Sequence, residues 1–151
     1  MKVRMTAALA LAAALVIAGV VRGAEKKVTM NQLPAPVQQT IKERSQGGTV
    51  RGLSIEEDNG KTVYEAELTV SGRHVDLSMD EQGRVLEFEG EIALDKLPAA
   101  AREAIQQRAA GGTIGVVEEV IENSKTTYEA HVDKAGKKSE VKVDAQGNPV
   151  K

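Results

Sequence analysis

Cysteine is missing from all 151 residues, which rules out a disulfide framework, a thiolate metal site, a Cys nucleophile and a lipid anchor on Cys. Tryptophan is absent too, and only two Tyr and one Phe are present. The core must therefore be aliphatic, and any binding surface lacks the aromatic anchors that dominate most protein interfaces. Only two histidines occur, His74 and His131. A serine triad needs a His to take the Ser proton and a carboxylate to orient it, and both histidines read as outward-facing strand residues. No Gly-rich phosphate loop runs from a strand into a helix, and there is no His-Glu-x-x-His or calcium loop. These absences point away from an enzyme, and no cofactor is expected.

Acidic residues are also missing before Glu25. Lys2 and Arg4 lead the chain, and after Thr6 it runs to Val21 in Ala, Leu, Val and Ile, broken by Gly19. This is the layout of a secretory signal peptide. As a helix the run spans about 24 Å, short of the roughly 30 Å hydrocarbon core. A cleaved signal over residues 1–23, cut after Gly23, is expected, leaving a periplasmic or secreted protein with no stable membrane insertion. Losing Lys2, Arg4 and Arg22 leaves 17 basic against 22 acidic side chains. That sign argues against nucleic acid as a partner.

What is present is a repeat. Displaced by 64 residues, the chain falls on itself without a gap, with 18 of 55 positions identical between 33–87 and 97–151. Leu33-Pro34-Ala35 meets Leu97-Pro98-Ala99, and Gly47-Gly48-Thr49 meets Gly111-Gly112-Thr113. Tyr64-Glu65-Ala66 meets Tyr128-Glu129-Ala130, while Gly72, Asp80 and Gly83 meet Gly136, Asp144 and Gly147. Chance does not produce this at one register. The expected units are 28–90 and 91–151.

Both copies read as α+β, one helix packed on a four-stranded antiparallel meander. Asn31 and Asp95 are the expected helix N-caps, with Pro in the first turn. Leu33, Val37 and Ile41, like Leu97, Ala101 and Ile105, form one apolar helical stripe. The double glycine ends the helix through a left-handed cap. In the first copy strands are expected over 49–57, 62–70, 73–79 and 84–89. A two-residue turn at Ser71-Gly72 sets Leu68 against Val75, Ala66 against Leu77 and Tyr64 against Met79, all apolar and on one face. Turning at Ala135-Gly136 repeats that register, so both Tyr and Phe88 belong to the core. The last strand of the second copy reads as stunted, a weak edge open to self-association.

The outward faces differ. In the second copy Asp133–Lys138, His131–Glu140 and Glu129–Lys142 face each other and attract. In the first, Thr69–His74, Glu67–Asp76 and Glu65–Ser78 do, with like charges opposed, and Glu87 and Glu89 join from the next strand. Residues 28–90 carry 11 acids and 6 bases. Glu65, Glu67, His74 and Asp76 are thus the candidate binding face, for a basic partner or, in a sensing role, a weakly held divalent cation or small ligand.

A Leu-Pro helix, a double glycine, a Tyr-Glu-Ala strand, a Gly hairpin and an Asp-x-x-Gly turn, in this order, resemble the PepSY-like family. That family is related to the PepSY units of peptidase propeptides and is likened in tandem form to the β-lactamase-inhibitory protein. The motif residues are Leu33, Pro34, Tyr64, Gly72, Asp80 and Gly83, with Leu97, Pro98, Tyr128, Gly136, Asp144 and Gly147. The resemblance implies a helix-plus-antiparallel-sheet unit outside the cytoplasm, with a binding or inhibitory role toward peptidases or other envelope proteins and no catalytic residues.

Overall fold

Tight turns set the sheet. Asn59-Gly60, Ser71-Gly72, Asn123-Ser124 and Ala135-Gly136 all hold positive φ at both residues, the mirror-type turn whose twist matches that of the strands it joins. In the computed structural model, which describes residues 25–150, the strands are β1 (Lys26–Lys27), β2 (Thr49–Asp58), β3 (Lys61–Val70), β4 (Arg73–Met79), β5 (Val85–Glu91), β6 (Thr113–Glu122), β7 (Lys125–Lys134) and β8 (Lys137–Asp144). Helices α1 (Ala35–Ser45) and α2 (Ala99–Ala109) follow β1 and β5. The expected signal segment, with its cut after Gly23, lies outside the described residues.

The hairpin registers are those the alternation predicts. Tyr64 pairs Met79, Ala66 pairs Leu77 and Leu68 pairs Val75; Tyr128 pairs Val143, Ala130 pairs Val141 and Val132 pairs Ser139. Tyr64 and Tyr128 are buried, at 9% and 7% exposure. Val37 and Ile41 of α1 close over Tyr64, Ala66, Leu68, Leu77 and Met79, with Phe88 packed alongside. Ala101 and Ile105 of α2 do the same over Val117, Tyr128, Ala130 and Val143.

The two halves do not form separate sheets. The described strands make one antiparallel sheet in the order β1 to β8. Strand β5 closes the first half, pairing Asp76 with Glu89 and Leu77 with Phe88, and also opens the second, pairing Gly90 with Glu119 and Glu91 with Glu118. The second role repeats β1, where Lys26 pairs Ile55 and Lys27 pairs Ser54, each 64 residues earlier. Glu89-Gly90-Glu91, a junction by sequence, is therefore the end of β5, with Glu89 and Gly90 paired on both sides. Each half has one helix and four strands, but the unit runs strand, helix, three strands.

The caps also differ from expectation. Asn31 and Asp95 sit in short 3-10 turns (Met30–Gln32 and Leu94–Lys96), and the α-helices start after Pro34 and Pro98, whose extended backbone makes them the N-caps. Asn31 spends its side chain on the Thr29 hydroxyl, because Thr29 and Gln32 already close the turn as a reciprocal box. At the far end Gln46 and Ala110, not glycine, take the first left-handed position. Gly48 is needed for closeness instead: a Cβ there would lie 2.1 Å from the Thr69 carbonyl oxygen.

The Asp-x-x-Gly turn locks sheet to helix. The Asp80 carboxylate accepts from the N–H of Gln82 and Arg84, both at 3.0 Å, and the Thr40 hydroxyl donates to the Gly83 carbonyl at 2.8 Å. Gly83 has φ +73°, and a Cβ on it would come within 2.6 Å of the Pro36 carbonyl oxygen, whereas Gly72 has φ +79° with nothing within 4 Å. Gly72→Ala therefore measures backbone strain alone, about 1 kcal/mol, and Gly83→Ala adds the clash, for about 2 kcal/mol in all. Equal urea midpoints for the two variants would refute this docking role.

Candidate functional site

Both helices lie on one side of the sheet, and among the described residues no helix covers the other. Strand alternation sends every second side chain to that open face. Pairing across β3 to β8 lays down rows there. One row carries Thr69, His74, Glu91, Glu118, Glu129 and Lys142; the next carries Glu67, Asp76, Glu89, Val120 and Thr127; a third carries Glu65, Ser78, Glu87 and Glu122. Val120 is 2% exposed and Glu129 3% although no layer crosses above them, so neighbouring side chains close over the middle of the face.

Of the four residues singled out from sequence, His74 and Asp76 meet: Nε2 lies 3.0 Å from Oδ2. Glu65 accepts from the Ser54 hydroxyl at 3.0 Å, and the Glu67 carboxylate lies over Gly52, which has no side chain to block it. The four share a face without converging: His74 and Asp76 pair with each other, and Glu65 and Glu67 turn toward β2. Among the described residues no group of three or more His, Asp or Glu side chains converges as a metal site. The expected attraction between Glu129 and Lys142 is an ion pair. His131, although paired with Glu140 in register, turns instead to Glu118, 3.7 Å away.

The electrostatics extend the acidic face beyond the first half. Burial, reinforced by a hydrogen bond to Glu87 and by the charges of Glu87, Glu118 and Glu129, pushes Glu89 up to about 8. Burial raises Glu118 as well, against the pull of His131. Glu140 rises through burial and its hydrogen bond to Glu129. Asp76 rises through burial, with His74 opposing and Glu67 and Glu65 adding, and its Oδ1 is buried without a hydrogen-bond partner in the described structure. Like-charged carboxylates this crowded cannot all ionise at ordinary pH. Burial therefore keeps Glu89 protonated at neutral pH, on a face with more carboxyl groups than cations.

Glu91 and Glu118 were not among the candidates. The alternation of Glu87, Glu89 and Glu91 was readable, but their partner strand is β6, reached only after the whole of α2. Local register rules carry across a two-residue turn and not across a helix.

A family described as β-lactamase-inhibitor-like, PepSY-like matches in two segments, residues 20–87 and 86–151. No curated protein matches the chain. Among solved structures, a protein described as periplasmic from Bacteroides eggerthii superposes with TM-score 0.64 at 18% identity, over 79% of this chain and 86% of that one. A DUF2874 family protein from Bacteroides uniformis gives 0.63 at 20%, over 78% and 86%. A BLIP-like protein from Bacteroides fragilis gives 0.59 at 19%, over 79% and 84%. At these identities the structures establish the shared fold.

Proposed function

The chain belongs to the PepSY-like family, and on that footing we propose that it is a periplasmic, non-catalytic, inhibitor-like binding module whose open sheet face docks a basic protein or peptide surface. One observation carries the reading: among the described residues one side of an eight-stranded sheet has no covering layer and is crowded with carboxylates from β3 to β7. A wide, predominantly acidic face attracts the opposite sign, and the gain grows when its own charges repel each other before the partner arrives. The location is supported by the similar protein described as periplasmic, and no helix among the described residues is long and apolar enough to cross a membrane. The inhibitor-like role is supported by the family description and by the BLIP-like structural neighbour.

The test is a defined panel: lysine-rich and glutamate-rich peptides of equal length, together with purified envelope peptidases. Basic members should be retained and released as salt rises. The triple variant Glu67→Gln, Asp76→Asn and Glu89→Gln should weaken retention about tenfold or more. Equal retention of the acidic and basic members would end this reading.

A further inference from the structure

Among the described residues the outer edge of β8 has no neighbouring strand along residues 137–140. Val150 N–H donates to the Lys142 carbonyl at 3.1 Å and Asp144 N–H donates to the Asn148 carbonyl at 2.9 Å, so the even-numbered residues of β8 turn their backbone groups outward. By strand alternation Lys138 and Glu140 do the same, and among the described residues no strand covers them. Residues 137–140 are exposed, while α2 packs behind β8 and holds the edge in place. Inside the chain the equivalent edge of β4 is filled by β5, and the Val143–Pro149 bridge repeats the Met79–Val85 pair of that interface 64 residues on.

We propose that β8 pairs antiparallel with β8 of a second copy of this chain about a twofold axis at Ser139, setting Lys138 of each copy opposite Glu140 of the other. The charge pattern selects that register. An axis at Glu140 would oppose Glu140 to itself and Lys138 to Lys142 twice, which repels. An axis at Val141 would use Lys142, whose carbonyl is taken by Val150. The Ser139 axis yields two attractive pairs on the open face and uses the free backbone groups of Lys138 and Glu140. Lysines on a strand edge ordinarily deter pairing; here each meets a carboxylate of the partner. The contact is short, and the dimer is correspondingly weak. It joins two open faces into one.

Sedimentation equilibrium of residues 25–151 from about 10 µM to about 1 mM tests it. The natural sequence should show a reversible monomer–dimer equilibrium. Lys138→Glu and Glu140→Lys, each creating two like-charge pairs, should weaken association about tenfold. The double variant Lys138→Glu/Glu140→Lys, with the charges exchanged, should return it to within about threefold. A monomer throughout the range, or a double variant as weak as the singles, would overturn the proposal, with circular dichroism confirming that each variant is folded.

Discussion

Ile105→Ala is expected to destabilise the protein by about 3 to 4 kcal/mol and to unfold both halves in one transition. Ile105 is fully buried and is the large residue in the buried stripe of α2, whose other members are Ala101 and Ala109. Its truncation leaves Ala101 and a new alanine at position 105 facing Val117, Tyr128, Ala130 and Val143, and an 11-residue helix held by so little is not stable alone. The loss spreads because β5 is hydrogen-bonded to β4 on one side and β6 on the other. Tyr64 and Tyr128 occupy equivalent core positions. Variants keeping a single tyrosine, with Phe at the other site, report the two halves separately in urea. Coincident midpoints, both lowered by Ile105→Ala, are the expected result. A first half that stays folded after the second has melted would show that the shared strand does not couple them.

Glu89→Gln is expected to stabilise the protein at pH 8.5 by about 2 to 3 kcal/mol and to change little at pH 5. Folding raises this carboxyl from 4.5 to about 8, so between those values the folded state holds a proton that the unfolded state has released. Stability from this group is therefore undiminished below pH 4.5, falls as pH rises through the window, and reaches its full cost above pH 8. Glutamine keeps the shape and cannot ionise. Asp76, Glu118 and Glu140 are raised as well and add to the same slope. Asp80 and Asp144 act oppositely. Burial works upward on Asp80, but the backbone and side-chain hydrogen bonds from Arg84 bring it below its ordinary value; hydrogen bonds from Asn148 lower Asp144. Their contribution is lost as pH falls below the usual aspartate range. Thermal unfolding from pH 4 to 9 should show greatest stability on the acidic side of neutrality. A flat profile for the natural sequence, or a Glu89→Gln variant parallel to it, would count against the buried carboxylate cluster.

The cost that Glu89 imposes above neutrality is what an arriving cation would relieve. The continuity of β5 makes that relief a property of the whole sheet, since the face is assembled from strands of both halves.

Sequence alone determined the duplication, the helix-and-meander unit, the two hairpin registers and the burial of both tyrosines. Each follows from contacts within a dozen residues or from identity at a fixed offset: Ser71-Gly72 and Ala135-Gly136 admit one turn, and alternation then places every side chain. The outward side of Glu65, Glu67, His74 and Asp76 was legible for the same reason. Tertiary structure decided what those side chains do there. It set Glu65 on the Ser54 hydroxyl and Glu67 over Gly52, turned His131 from Glu140 to Glu118, and moved the start of α1 past Asn31 to Pro34. Above all it merged two sheets into one through β5, because Glu87, Glu89 and Glu91 find β6 only after α2 has crossed, and no pattern local to either strand encodes that meeting.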